Sequence, residues 1–266
     1  MESIVTHGAP TAGVTPRNAP GGPDRRGQLP ALLCVPFAGG SEDSFTALRV
    51  RLKGHAMVTT ACYPGRGRRS SEVRPRSLEE MVAEVDAEMD CIDRPTVLLG
   101  YSMGAIVAYE VTLKRERENK RRVSHLVVLA SRAPRDFKVN ALIEVGGDRE
   151  FAEAIARQGA LPASVLANPL VLGMCLPTLR GDLEACRSYE PSLSKIHCPI
   201  TMIGGDSDPL APVSELARWT SYTNEKAECH VVPGGHFFLK RNLDDIVGII
   251  RGRLNDCEYQ EDISIC

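Results

Sequence analysis

The sequence predicts an α/β fold, a mainly parallel sheet with helices on both faces. Short apolar runs that are typical of buried strands alternate with amphipathic helical stretches over most of the chain. Strands and helices that alternate at short spacing form parallel sheets, because each helix carries the chain back across one face. Glycine-rich and polar motifs follow several of these strands directly, at the carboxyl ends where ligand sites lie in such sheets.

The length of the chain is consistent with one domain of moderate size, or with one domain that carries an inserted piece. At 266 residues the chain can bury a large core, and its formal net charge of -2 offers no basic field for nucleic acid. No apolar run approaches the length of a membrane span, and no charged-then-apolar signal pattern opens the sequence. Nine scattered cysteines without a C-x-x-C motif are typical of a reduced protein. We therefore expect a cytoplasmic protein, and we expect a monomer.

The N-terminal half begins with a proline- and glycine-rich segment, residues 1–29, which we expect to be a disordered tail. Three apolar runs then predict strands at Ala31–Val35, Ala56–Tyr63 and Val97–Leu99. Helices are expected at Asp43–Lys53, at Ser77–Cys91 and directly after Ser102. Ser77 and Glu80 have the spacing of a capping box at the start of the second of these helices.

The C-terminal half contains the inserted piece. Val123–Ala130 predicts a strand. Residues 134–190, which follow, do not have the apolar pattern that is typical of strands. Helical pieces at 149–157, 163–167 and 169–186 indicate an all-helical insertion, which in an α/β domain is most simply a lid. The remaining predictions are strands at Ile200–Gly204 and Ala227–Val232 and helices at Leu210–Tyr222 and Asn242–Leu254. The domain is then residues 30–255, and residues 256–266 are interpreted as a C-terminal tail.

The centre of the chain is the segment Gly100-Tyr-Ser102-Met-Gly104 between an apolar strand and an Ala-containing helix. Strand, G-x-S-x-G and helix together are the pattern of a nucleophile elbow, in which a sharp turn raises a serine hydroxyl above the sheet edge. Each glycine lacks the Cβ that would clash in so tight a reversal. The alternative is a small-residue turn that merely packs a helix on a sheet. We interpret Ser102 as a nucleophile.

A serine nucleophile needs a base, and the base needs a third group to orient it. After such an elbow the chain order is serine, then an acid, then histidine. Two acids, Asp206 and Asp208, follow the strand at Ile200–Gly204, and we favour Asp208 because the proline after it biases it to an extended turn conformation. His236, after the last strand and a Gly-Gly pair, is the base candidate.

Other polar residues near the strand ends have weaker assignments. Acyl transfer through a tetrahedral oxyanion needs two preorganised N–H donors. We expect them from Met103, after the nucleophile, and from Ala38 in the Gly-rich loop after the first buried strand. The basic residues Arg66, Arg68 and Arg69 follow the second strand; such clusters are usually solvated surface, but this one could attract an acidic partner.

Six motifs occur in one order along the chain: PFAGGS at 36–41, YPGRGRR at 63–69, GYSMGA at 100–105, LPTLRGD at 176–182, GGDSD at 204–208 and GGHFFL at 234–239. Together they resemble the type II thioesterases that accompany nonribosomal peptide and polyketide synthases. The resemblance covers about residues 31–254 and leaves out the proline-rich tail. Tyr101 departs from the family, which usually has histidine before the nucleophile, so we expect the chemistry to survive and the local pocket to differ.

The resemblance implies an α/β-hydrolase fold with a helical lid, and a serine thioesterase that acts on acyl or peptidyl carrier proteins. Such enzymes hydrolyse stalled or mis-primed acyl groups from the phosphopantetheine thiol of the carrier. Ser102 would attack the thioester, His236 would move the proton, and Asp208 would orient the imidazole, while the Ala38 and Met103 amides hold the oxyanion. No metal or redox cofactor is expected, since the phosphopantetheine belongs to the substrate.

The same resemblance makes the basic cluster a candidate for carrier binding, because carrier domains are typically acidic. Two other functions remain open. One is a product-releasing thioesterase, an esterase or an acyltransferase of the same fold. The other is a non-catalytic module that binds carrier domains, which the complete set of Ser102, Asp208 and His236 disfavours.

Overall fold

The computed structural model describes residues 29–139, 144, 146–159 and 161–263, with side chains as far as Cys257. Six strands form one sheet in the order β2-β1-β3-β4-β5-β6, and every neighbouring pair is parallel. The strands are β1 Ala31–Val35, β2 Met57–Thr60, β3 Thr96–Tyr101, β4 His125–Leu129, β5 Ile200–Gly205 and β6 Ala227–Val232. The predicted mainly parallel α/β fold is confirmed.

Eight α-helices accompany the sheet in the described part of the chain. They are α1 Thr46–Arg51, α2 Leu78–Asp90, α3 Met103–Arg117, α4 Asp148–Arg157, α5 Ala163–Leu166, α6 Pro169–Ala185, α7 Val213–Leu216 and α8 Leu243–Ile263. None of them combines the length and apolar character needed to cross a bilayer, a statement that holds for the described residues.

The core has two layers, one on each face of the sheet. Successive side chains of a strand point to opposite faces, so Leu33 of β1 belongs to the layer that contains α2, α3 and the lid, while Leu32 belongs to the layer that contains α1 and α8. Strands buried on both faces read as continuous apolar runs, which is why β1 and β4 are visible in the sequence.

Helix α2 shows how local sequence sets a helix start. The Ser77 hydroxyl accepts a hydrogen bond from the Glu80 amide at 3.2 Å, as the predicted cap requires. The Glu80 carboxylate, however, accepts from the Arg76 amide at 2.7 Å instead of from that of Ser77. The hydrogen bond that caps the helix at Ser77 is therefore present. The reciprocal hydrogen bond of the capping box, to the Glu80 carboxylate, comes from the Arg76 amide, one residue earlier in the chain.

The described residues between Pro134 and Ala185 are mainly helical, as predicted. A 3-10 turn at Pro134–Asp136 leads to α4, α5 and α6. Helix α6 begins at Pro169 because the side chain of Asn168 accepts from the amides of Leu170 and Val171. These helices cover the carboxyl edge of the sheet and form the lid.

Three predictions differ from the structure or lie outside it. The predicted helix at Leu210–Tyr222 is the short α7 followed by a 3-10 helix, since Pro209 and Pro212 delay its start. Helix α8 runs to Ile263 instead of stopping at Leu254, because Cys257 keeps the apolar periodicity and is 2% exposed. The predicted tail at 1–29 lies, apart from Leu29, outside the described residues.

Candidate active site

Ser102 lies in the turn between the last residue of β3 and the first residue of α3. Its backbone has φ 53° and ψ -119°, a region that a non-glycine residue enters only under strain. Two hydrogen bonds hold the turn: the Ser102 amide donates to the Leu129 carbonyl at 2.8 Å, and the Ala105 amide donates to the Ser102 carbonyl at 2.9 Å. Neighbouring strand β4 thus stabilises the strained conformation and presents the hydroxyl above the sheet edge.

Gly100 and Gly104 permit the close packing of this turn. A Cβ on Gly100 would lie 2.3 Å from the Ala105 Cα, on the helix that the turn starts. A Cβ on Gly104 would lie 2.2 Å from the Val35 carbonyl oxygen at the end of β1. Real Cβ atoms do not approach backbone so closely, so both positions need glycine. The two glycines act on different contacts, the first within the elbow and the second between helix and sheet.

A chain of hydrogen bonds joins the three residues predicted to carry the chemistry. Nε2 of His236 lies 3.1 Å from Oγ of Ser102, and Nδ1 of the same ring lies 2.9 Å from Oδ2 of Asp208. His236 and Asp208 are each 4% exposed. The arrangement has the geometry of a nucleophile, a base and an orienting carboxylate.

Asp208 is held in the ionised form despite its burial. Burial disfavours the charge, but the hydrogen bond and charge interaction with His236 outweigh it, helped by the Leu210 and Ala211 amides. Those amides donate to Oδ1 at 2.8 and 3.2 Å. The net effect is a pKa of Asp208 below its usual value. A carboxylate that is charged and fixed at both oxygens can orient the imidazole and stabilise its protonated form.

Asp206, the alternative acid, has a structural position. Its Oδ1 accepts from the Gly234 amide at 2.9 Å and from the Ser207 hydroxyl at 2.8 Å. These hydrogen bonds, the first of them the stronger influence, lower the pKa of Asp206. The exposed carboxylate thus joins the loop after β5 to the loop after β6 that carries His236.

Tyr101 makes a contact that the sequence did not predict. Its buried hydroxyl donates a hydrogen bond to the backbone carbonyl of His236, and its ring packs against those of Phe37 and Phe237. Tyr101 therefore anchors the loop of the base to the elbow of the nucleophile. The only signal in the sequence was the departure from the family histidine, which gives no partner for the hydroxyl.

Ala38 and Met103 line the same cavity as Ser102 and His236. Met103 is the first residue of α3, so its amide is one of those that the helical ladder leaves without an acceptor. Ala38 lies in the turn closed by a 2.8 Å hydrogen bond from the Gly40 amide to the Phe37 carbonyl. We call residues 36–40 the oxyanion loop. Both predicted donors border the nucleophile, and their role remains a prediction.

The cavity has a volume of about 250 Å³ and is largely apolar. Its walls include Phe37 and Ala38 from the oxyanion loop, while the lid contributes Phe137, Val139, Ile155, Leu179 and Leu183. Pockets that are lined mainly by apolar side chains bury the apolar part of a ligand, and a small number of polar groups in the pocket orient it. An acyl chain attached at the hydroxyl of Ser102 would extend between the sheet edge and the lid.

The basic cluster is not the exposed patch that the sequence suggested. Arg66 is 6% exposed and forms an ion pair with Asp182 of α6, so it presents little surface to a carrier, and its role in carrier binding remains a prediction. Arg69 is bound by the carboxylates of Glu72 and Glu84. Arg68 keeps 54% of its side chain exposed, beside Glu42. Nearby glutamates therefore offset most of the positive charge.

Two other histidines, His125 and His197, have structural partners. Nε2 of His125 lies 2.8 Å from Oγ1 of Thr201 at the amino ends of β4 and β5, away from the elbow. Burial, with a smaller effect from Arg253, lowers the pKa of His125 to about 4. His197 lies at the surface, where its Nδ1 is 3.0 Å from Glu116.

Comparison with known proteins identifies the family to which this chain belongs. The family model described as a thioesterase domain matches residues 30–254. The chain belongs to the thioesterase family. A relative from Streptomyces griseus, described as a probable cadicidin biosynthesis thioesterase, is 34% identical over 221 residues, which are 81% of this chain and 60% of that protein. This thioesterase thus spans about three fifths of the length of that relative.

Solved structures of similar proteins have the same fold. The thioesterase RedJ from the prodiginine pathway of Streptomyces coelicolor superposes with a TM-score of 0.77 at 30% identity, over 90% of this chain and 91% of that one. The type II thioesterase BorB from the borrelidin biosynthetic cluster gives a TM-score of 0.77 at 29% identity, over 85% and 93%. The thioesterase described here is a hydrolase of the α/β-hydrolase fold, and its resemblance to type II thioesterases is confirmed.

Proposed function

We propose that this thioesterase hydrolyses acyl groups from the phosphopantetheine thiol of acyl or peptidyl carrier domains, and so clears stalled or mis-primed synthases in secondary metabolism. The observation that carries the proposal is the hydrogen-bonded series Ser102, His236 and Asp208 beneath a lid-covered apolar cavity. The relatives are named for cadicidin biosynthesis and for the prodiginine biosynthetic pathway, which supports a biosynthetic synthase as the partner.

Acylation begins at Ser102. Its oxygen bonds to the thioester carbonyl carbon while Nε2 of His236 takes the hydroxyl proton, and the carbonyl oxygen becomes an anion. The amides of Ala38 and Met103 are proposed to donate to that anion. When the intermediate collapses, the carbon–sulfur bond breaks and His236 returns the proton to the departing thiolate. Asp208 keeps the imidazole in the tautomer that accepts at Nε2.

Deacylation repeats the cycle with water. His236 takes a proton from a water molecule, whose oxygen bonds to the acyl carbon on Ser102. The second tetrahedral anion collapses, the ester bond to Ser102 breaks, and the proton on His236 passes to the serine oxygen. The products are a free acid and a carrier with a free thiol. Every proton is moved by the protein's own residues, so we propose that no cofactor beyond the carrier's own phosphopantetheine takes part.

The proposal extends to the setting of the reaction. Arg68 is the most exposed member of the predicted docking cluster, so carrier binding is proposed there and, to a smaller extent, at Arg69. The seven described cysteines from Cys34 to Cys229 are free thiols, which supports a reducing cytoplasm as the compartment. We also propose that the enzyme acts as a monomer, since Ser102, His236 and Asp208 of one chain already form a complete hydrogen-bonded series.

Intact mass spectrometry of an acetyl-loaded carrier protein tests the function. Wild type and Ser102→Ala are incubated with the carrier, and coenzyme A and p-nitrophenyl esters of the same acid are compared in parallel. We expect only wild type to remove the acetyl mass and leave the free-thiol carrier, with a higher kcat/KM than for the two small substrates. Turnover of the small esters with an unchanged carrier would contradict the proposal in favour of a general esterase, and no turnover of either would favour a binding module.

A further inference from the structure

A buried ion pair joins the lid to the oxyanion loop. The Arg66 guanidinium lies against the carboxylate of Asp182, with Nη1 at 2.7 Å from Oδ2 and Nη2 on Oδ1. The two side chains are only 5% and 3% exposed. Removing two charges from water costs several kcal/mol per ion, and the attraction between them often only balances this. The pair is therefore poorly explained as a source of stability, and its other contacts indicate what it does.

Both members of the pair also bind the oxyanion loop. Oδ2 of Asp182 accepts a hydrogen bond from the Gly39 amide at 2.7 Å, and Nη1 of Arg66 donates to the Gly40 carbonyl at 3.0 Å. Three segments far apart in the sequence thus meet at one carboxylate: the oxyanion loop, the loop after β2 and helix α6. The contact falls on the residues that directly follow Ala38.

The conformation of Gly39 explains why the loop needs outside support. Gly39 has φ 77°, and a Cβ there would lie 3.2 Å from the Cβ of Leu179 on α6. Glycine is flexible at such a position, so contacts from outside the loop add to the restraint that the hydrogen bond from the Gly40 amide to the Phe37 carbonyl supplies. The peptide between Ala38 and Gly39 is planar, and holding its N–H fixes the plane on one side of the Ala38 Cα.

We propose that Asp182 and Arg66 are positioning residues that hold the oxyanion loop in its reactive geometry and make that geometry depend on a seated lid helix. Neither touches the reacting atoms. If α6 moves away, the Gly39 amide loses its acceptor and the Ala38 donor is released. The inference rests on the proposed function, because it assumes that the Ala38 amide serves the oxyanion.

The test compares Asp182→Asn with the double variant Arg66→Met/Asp182→Leu, which replaces the pair by apolar side chains and guards against misfolding of the single variant. Arg74→Ala is the matched control: Nη1 of Arg74 donates to the Pro177 carbonyl of α6 at 2.7 Å, a tether that does not reach the oxyanion loop. The substrate is p-nitrophenyl acetate, so carrier docking plays no part. Melting temperatures are recorded for all variants.

We expect kcat to fall about 10- to 100-fold in both Asp182 variants with little change in KM, since a donor displaced by about 1 Å can cost that much. The affinity for phenylboronic acid, whose adduct with serine carries an anionic oxygen, should fall in parallel. Arg74→Ala should keep the wild-type kcat. A purely structural role would lower the melting temperature but would not change kcat and boronate affinity together in the folded protein.

Two results overturn the inference in distinguishable ways. A folded Asp182→Asn or double variant with wild-type kcat and boronate affinity would refute the positioning role alone. A wild-type enzyme that neither turns over the ester nor reacts at Ser102 with a fluorophosphonate probe would refute the proposed function, and the inference with it.

Discussion

Asp206 and Asp208 lie in the same loop, after β5, but their carboxylates have different environments and therefore different roles. Asp208 is buried and lies 2.9 Å from Nδ1 of His236, whereas Asp206 is exposed and ties two loops together. Both have a lowered pKa, so pKa alone does not tell the orienting acid from the structural one. Geometry does, because only one of them reaches the imidazole.

The matched substitutions Asp208→Asn and Asp206→Asn test this assignment. An amide in place of the Asp208 carboxylate would favour the wrong imidazole tautomer, so we expect kcat for thioester hydrolysis to fall about 10⁴-fold. The amide introduced by Asp206→Asn can still accept from the Gly234 amide, so that variant should stay close to the wild-type rate. Steady-state kinetics at neutral pH measures both. A comparable loss in the two variants would contradict the assignment.

Among the elements, the elbow helix and the lid helix do the most to shape the site. Helix α3 approaches β1 closely enough that Gly104 contacts backbone, whereas Gly248 of α8 has nothing within 4 Å of its missing Cβ. In the sequence each is a glycine in an apolar helical stretch, and Gly104 is distinguished by its place in the G-x-S-x-G motif. Because the two glycines have different surroundings, we expect a Gly→Ala substitution to have opposite effects on stability at the two positions.

Gly104→Ala should destabilise the protein by about 3 kcal/mol, because its Cβ would overlap the Val35 carbonyl and force α3 away from the sheet. Gly248→Ala should stabilise it by about 0.5–1 kcal/mol through helix propensity. Urea unfolding followed by circular dichroism measures both changes. An unaltered free energy of unfolding for Gly104→Ala would refute the close packing of the elbow helix.

The lid prediction concerns the length of the acyl group. Leu183 of α6 lines the cavity and is 7% exposed, so Leu183→Trp should shorten the space available to an acyl chain. We expect kcat/KM to fall much more for long-chain than for acetyl p-nitrophenyl esters. Leu170→Trp, at a residue 75% exposed on the same helix, is the control and should leave the preference unchanged. An equal loss for both chain lengths in Leu183→Trp would count against the lid as the acyl wall.

At the scale of the whole molecule, stability should depend on pH through buried titratable groups. His125 has its pKa lowered to about 4, so between about pH 6.5 and 4 the unfolded chain binds a proton that the folded one does not. Stability therefore falls as pH drops through this window, by up to about 3 kcal/mol for this group. The lowered pKa of Asp208 adds a loss at more acidic pH.

His125→Gln removes the titrating group while it keeps a hydrogen-bond partner for Thr201. We expect its free energy of unfolding to decline less than that of wild type between pH 7 and pH 4.5, as measured by urea unfolding at several pH values. If the free energy of unfolding declined equally in wild type and His125→Gln, His125 would not be the cause of the pH dependence.

The order of elements could be predicted from the sequence because the strands are buried on both faces and the elbow combines a strand, a helix and a strained serine. The elbow motif and the chain order could place the serine and the histidine, and the proline after Asp208 favoured it over Asp206 as the acid. The partners of Arg66 could not, since Asp182 lies 116 residues away on the lid and nothing local distinguishes a buried arginine from an exposed one. The link from Tyr101 to the His236 carbonyl is likewise a long-range contact, 135 residues apart.

The central claim is that Ser102 receives the acyl group, and rapid-quench mass spectrometry of the enzyme during turnover of an acyl-loaded carrier tests it most directly. We predict that the acyl mass appears transiently on the peptide that contains Ser102, and that Ser102→Ala shows neither this adduct nor loss of acyl groups from the carrier. An adduct on another residue, or a carrier emptied at the same rate by Ser102→Ala, would contradict the account.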